Sequence, residues 1–189
     1  QVNRSDDLKI TRITPLVCNA GLRNWIFVKV ETDQPGLVGW GEATLEWKTR
    51  AVVGAIQDIE PLILGEDPRN IEHAIQKMNK HGFWRQGVIG MTAISGIEVA
   101  LWDILGKALN TPIWRLLGGK TRDWLRTYTH LGLGAADAVY GEKSAEEFAQ
   151  HAVRLKELGY DAFKLVCVPY SHYLPKRENV RALGYTMET

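Results

Sequence analysis

The chain has 189 residues, 45% hydrophobic and 24% charged, with a mean hydropathy of -0.19, which describes an ordinary soluble globular protein with apolar material for one or two domains. Its 23 basic and 22 acidic residues give a net charge of +1 and are mixed along the chain, so no basic block suits a phosphate backbone and nucleic acid is not expected as a partner. Cys18 and Cys167 lack metal-type spacing, the opening QVNRSDDLKI has no secretory apolar core, and no apolar run reads as long enough to span a bilayer; a reduced, cytoplasmic setting without a membrane is the expectation.

The first third predicts an antiparallel meander: LKITRITPL, WIFVKVET and GLVGWGEATL, the last two joined by the turn Thr32-Asp33-Gln34-Pro35-Gly36. Ile26, Val28 and Val30 alternate with Phe27, Lys29 and Glu31, the period of a strand buried on one face. Helices follow. Val52, Val53, Ile56 and Ile59 mark one over 49–59, and Asp67-Pro68 is expected to cap and open a second, with Ile71, Ala74, Ile75 and Met78 inward. The longest is expected over 91–108, where Ile94, Ile97, Leu101, Ile104, Leu105 and Ala108 recur at three and four, and Asp103 faces Lys107 one turn on. PIWRLLGG predicts a short helix opened by proline and stopped at Gly118-Gly119.

Near Thr121 the pattern changes. WLRTYTHLGL reads as a strand, SAEEFAQHAVRLKELG as an amphipathic helix with Ser144 and Glu147 as a capping box, and DAFKLVCV as a second strand. A strand, helix, strand crossover makes the two strands parallel, and its ~35-residue length matches one unit of a (β/α)8 barrel. The expected fold is an α+β capping domain over residues 1–120, a three-stranded antiparallel meander plus helices, followed over 121–189 by the first strands of a (β/α)8-type barrel that is incomplete in this chain.

Three blocks, RNWIFVKVETDQPGLVGWGEATLEW, WRQGVIGMTAISGIEVALWDILGKALNTPIWRLLGG and GYDAFKL, resemble the enolase superfamily in its mandelate racemase and muconate lactonizing branch, and within it acid-sugar dehydratases of the galactonate dehydratase type. The resemblance implies a hydro-lyase. Mg2+ stabilises the enediolate formed when the proton beside a substrate carboxylate is removed, and loss of the β-hydroxyl gives a 2-keto-3-deoxy acid. It also implies a small-molecule sugar acid as partner, a homo-oligomer, and metal ligands on later barrel strands. No metal ligand is expected in this chain, and the 189 residues alone are expected to be inactive.

The resemblance places candidates for the site. Lys164 stands in an apolar strand where charge is costly unless it reaches water or a counter-ion; it is a cation near substrate or metal carboxylates, or half of a structural ion pair. Relatives often carry Lys-x-Lys here, whereas this chain has Lys164-Leu165-Val166, a departure that weighs against a two-base racemase. His130, at the end of the first barrel strand beside Tyr128, is a substrate contact or a histidine satisfied by backbone. The loop Glu46-Trp47-Lys48, together with the stretch Cys18 to Asn24, is expected to fold over the barrel mouth and select substrate, with Asn24 among the contacts, although an exposed turn of this composition is otherwise a solvated hairpin end. Tyr170 and His172 are weaker candidates in the loop after the second strand. A racemase or cycloisomerase of the same fold and a non-catalytic truncated binding module are the rival readings.

Overall fold

A computed structural model describes residues 7–20, 23–131 and 144–165. Residues through Lys120 form one compact unit and those from Thr121 a second.

In the first unit, β1 (Ile10–Asn19), β2 (Asn24–Thr32) and β3 (Val38–Glu42) make an antiparallel sheet in that order. The period-two pattern of β2 is realised: Ile26, Val28 and Val30 are fully buried, while Phe27, Lys29 and Glu31 keep partial exposure. The predicted turn closes with Leu37 N–H donating to Gln34 O (3.1 Å) and the Thr32 hydroxyl to Leu37 O (2.7 Å). Gly36 takes φ +81°, a conformation glycine adopts without crowding. β1 extends past the predicted Leu16 because Cys18 and Asn19 still find Trp25 and Asn24 across the ladder. β3 stops before the predicted Leu45, since its ladder with β2 ends at Glu42 opposite Phe27.

Four helices follow: α1 (Thr49–Ile63), α2 (Ile71–Lys80), α3 (Gly87–Ala108) and α4 (Ile113–Leu116). α1 runs four residues beyond the predicted Ile59, through Pro61, because Ile63 continues the buried stripe of Val52, Ile56 and Ile59. The tertiary contact outweighs the N–H that proline lacks. Asp67 is not the cap of α2. The helix starts at Ile71 after Asn70, and the Asp67 carboxylate instead accepts from the Arg69 N–H (2.9 Å) and guanidinium (2.7 Å to Nη2). Gly118 and Gly119, at φ +104° and +103°, stop α4 as expected.

α3 begins at Gly87, four residues ahead of the predicted Met91. It lies almost on the backbone of β3: a Cβ built on Gly39 would fall 2.0 Å from Ala100 O, and one on Gly41 2.0 Å from Gly96 O. The glycines therefore set the distance between helix and sheet. The Asp103 carboxylate accepts from the Trp40 N–H (2.9 Å) and from Lys107 Nζ (2.6 Å), and Lys107 donates to Val38 O (2.8 Å). These side chains satisfy the free edge of β3, which would otherwise invite another strand. By length and composition α3 could cross a membrane, with 22 residues and a mean hydropathy of 1.6 over its most apolar 18, contrary to the expectation that no run could. Ala93, Ile94, Ile97, Ala100, Leu101 and Ile104 are spent on the core with β2 and α1, each large aliphatic contributing roughly 1.5–3 kcal/mol by burial.

In the second unit, β4 (Thr129–His130) and β5 (Phe163–Lys164) pair in parallel, flanking α5 (Ala145–Glu157) in sequence. Thr129 N–H donates to Ala162 O (3.2 Å) and Leu131 N–H to Lys164 O (3.0 Å). The capping box forms in both directions, Glu147 N–H to Ser144 Oγ (3.2 Å) and Ser144 N–H to Glu147 Oε2 (3.1 Å). Among the described residues both strands are shorter than predicted, and residues 132–133 and 166–168 of the predicted strands lie outside those described. Residues 124–128 face no ladder partner among the described residues and stay irregular, because an extended segment becomes a strand only when its N–H and C=O groups are paired.

Candidate functional site

Two sets of sequence-predicted residues are in view, one in each unit. In the first, the β1–β2 connection and the exit of β3 lie at the same end of the sheet, away from the Pro-Gly turn. Ala43 N–H donates to Ile26 O (2.7 Å) and Ile26 N–H to Thr44 Oγ1 (3.1 Å), which carries β2 and β3 together past the end of their ladder. Continuing that register four residues beyond Phe27 and Glu42 sets Arg23 opposite Glu46, and there an Arg23 Nη1 to Glu46 Oε1 ion pair forms at 2.5 Å. Lys48 N–H then donates to Leu45 O (3.2 Å) and closes a turn in which Trp47 takes φ +61°. A bulky side chain is rarely held in that left-handed region. Asn24 opens β2, opposite Asn19. Asn24 and Glu46 are half-buried, and Trp47 and Lys48 are exposed.

This rim presents a carboxylate, two cations, an amide and an exposed indole, groups suited to a ligand carrying hydroxyls and a carboxylate. Among the described residues it shows no nucleophile paired with a base, and its Glu46 carboxylate is engaged by Arg23. Arg23 was not singled out by its residue type. The signal that finds it is the register set by the Thr32–Gly36 turn, which makes two opposite charges face each other.

In the second unit, His130 and Lys164 are register partners in the parallel pair and so share a face of the sheet, with Thr129 and Phe163 on the other. His130 is half-buried and Lys164 exposed, as are Phe163 and Leu165. Lys164 thus has water as its partner, which answers the cost of a charge in an apolar strand; neither a counter-ion nor an enclosing mouth surrounds it among the described residues. Arg126 ties the start of the crossover to its end, donating from Nε to the Asp161 carboxylate (3.0 Å) and from Nη2 to Asp161 O (3.0 Å). The Arg126 guanidinium holds the Asp161 carboxyl below its ordinary value. Tyr170, His172 and Val166 lie outside the described residues.

Of the other described histidines, His81 Nδ1 contacts Met78 O (2.7 Å), His73 stands 3.9 Å from Glu66, and His151 Nδ1 is buried without a hydrogen-bond partner among the described residues. A shallow concavity between α2 and α3, lined by Arg69, His73, Trp102 and Leu105, includes none of the predicted site residues. Among the described residues no group of three His, Cys, Asp or Glu side chains could hold a metal ion.

Comparison with known proteins agrees with the geometry. The model of the mandelate racemase / muconate lactonizing enzyme N-terminal domain matches residues 10–118. An enolase from Pantoea ananatis, solved with bound D-gluconate and Mg, is 35% identical over 84% of this chain with a TM-score of 0.74. An enolase superfamily member from Salmonella Typhimurium is 34% identical over 94%, TM-score 0.77. A provisionally named dehydratase from Mesorhizobium loti is 36% identical over 83%, TM-score 0.74. The chain spans 36%, 49% and 41% of those proteins' own lengths. The matched region contains the whole meander, the helices that cover it and the glycine-set contact of α3, so the chain belongs to the mandelate racemase/muconate lactonizing enzyme family of the enolase superfamily, as its N-terminal domain and the opening strands of a barrel.

Proposed function

We propose that this chain is the substrate-selecting cap and first barrel crossover of a Mg2+-dependent acid-sugar dehydratase of the galactonate dehydratase type. The observation that carries the reading is the 35% identity, over 84% of the chain, to an enolase holding D-gluconate and Mg. An aldonic acid has an α-proton beside its carboxylate and a hydroxyl on the β-carbon. Elimination of water from those two positions gives a 2-keto-3-deoxy acid, and the proton-abstracting base and metal ligands must come from outside the described residues. What this chain contributes is recognition groups in each unit taken by itself: in the first, Glu46 and Asn24 for hydroxyls, Lys48 for a carboxylate and the Trp47 ring for a sugar face; in the second, Lys164 for a carboxylate and His130 as a donor or acceptor.

The test is a screen of the whole protein, with Mg2+, against a panel of aldonic and aldaric acids, scored for 2-keto acids. Product from at least one acid, lost with EDTA and restored by Mg2+, is the expected result. Exchange of the α-proton in deuterated water with no dehydration product from any acid would overturn the dehydratase reading in favour of a racemase.

A further inference from the structure

We propose that the Arg23–Glu46 ion pair is a latch across the end of the meander, and that a ligand carboxylate opens it by replacing Glu46 on Arg23. The pair is the side-chain tie between the β1–β2 connection and the turn after β3, and it closes where the ladder has already ended at Phe27 and Glu42. The 45–48 turn is held at one end by Leu45, packed against the core, and at the other by α1, whose Val52 N–H donates to Lys48 O (3.0 Å); between them Lys48 N–H donates to Leu45 O (3.2 Å) and Trp47 sits in a left-handed backbone that its neighbours must enforce. Trp47 and Lys48 are exposed and follow Glu46 directly, so whatever frees Glu46 changes how both are presented.

The latch is weak, as a switch should be. The Arg23 and Glu46 side chains are 43% and 36% exposed, and ion pairs of that exposure shift an equilibrium by about 2–5-fold. A carboxylate on a ligand is chemically the same partner for a guanidinium as the side chain it displaces. This second half rests on the acid-sugar reading; the first half does not.

Hydrogen exchange of the peptide covering residues 44–48, followed by mass spectrometry, reads the latch because the Lys48 amide is protected only while the turn is closed. Glu46→Gln should raise exchange about 2–5-fold, and 1 M NaCl should do the same to wild type but not to the variant. The double exchange Arg23→Glu with Glu46→Arg should restore protection, which a general loss of folding would not do. Unchanged exchange in Glu46→Gln, or in wild type on going to high salt, would overturn the latch. Sodium D-gluconate at ionic strength matched to NaCl should open the wild-type turn beyond the salt control and leave Glu46→Gln unaffected. If gluconate matches the salt control while the variant and salt results hold, the latch stands and carboxylate exchange falls, whereas the acid-sugar reading stands or falls separately on the 2-keto acid screen.

Discussion

Single side chains decide how closely α3 approaches the sheet. A methyl group on Gly41 would meet the Gly96 carbonyl oxygen, and one on Gly39 the Ala100 carbonyl oxygen, each at 2.0 Å. Both obstacles are backbone, so relief requires the helix to move and not a side chain to rotate. Gly41→Ala should therefore cost at least about 2–3 kcal/mol, the upper range of overpacking, read as a fall in the urea midpoint with unchanged slope. Gly54→Ala, at an α1 position where a Cβ meets nothing within 4 Å, should instead gain about 0.5–1 kcal/mol from helix propensity. Equal effects at the two sites would show that the close contact of α3 with β3 is not what glycine serves there. The same contrast explains what sequence could show: a glycine in a strand marks a close approach, but only the register reveals which helix residue arrives.

At the scale of elements, local chemistry was legible wherever it was self-contained. β2 showed its buried face through alternation, Ser144 and Glu147 showed the start of α5, and Asp103 found Lys107. Elements fixed by something distant were not legible: α1 runs through Pro61 because Ile63 has a core to enter, and Asp67 serves Arg69 instead of α2. The cap site was half visible for the same reason: both of its segments, 18–24 and 46–48, could be read from sequence, but the pairing of Arg23 with Glu46 only from the register. Ser144→Ala should cost about 1 kcal/mol in the second unit, measured as faster exchange of the first-turn amides of α5, with no effect on α1. The joint between α1 and α2 should be acid-sensitive. The hydrogen bond from Lys77 holds the Glu66 carboxyl below its ordinary value, and the hydrogen bonds from Arg69 do the same for Asp67. A carboxyl depressed on folding contributes stability that is present above its unfolded value and lost as pH falls through the folded one. Loss should thus begin below about pH 4.5. Because both pairs are partly exposed, each contributes no more than ~1 kcal/mol. Lys77→Met should flatten the acid limb of a stability-against-pH curve and leave the region above pH 6 parallel to wild type.

For the whole molecule, the two units differ in how far their apolar surface is resolved. The first has a continuous core from Leu8 to Ile104. The second has a two-stranded parallel sheet, an architecture that is stable only with both faces covered, yet Phe163 and Leu165 are exposed and Trp124, Leu125 and Leu158 are more than 70% exposed. Two strands, the number among the described residues of this unit, leave those faces open, so the 189-residue polypeptide should bury them against a second copy. Size-exclusion chromatography with light scattering should give dimers or larger species at micromolar concentration. Residues 1–120 alone should remain folded, since among the described residues none of their core cluster lies beyond Lys120. The outcome at that length also separates two causes, because Phe83 and Trp84 form a second exposed apolar patch at 100% and 88%. Monomeric 1–120 assigns association to the open barrel strands, whereas association that persists, and is abolished by Phe83→Ser with Trp84→Ser, assigns it to the segment between α2 and α3. Mg2+ at millimolar concentration should leave the melting temperature of the 189-residue chain unchanged in either case, since a ligand stabilises only what binds it and no metal-holding cluster exists among the described residues.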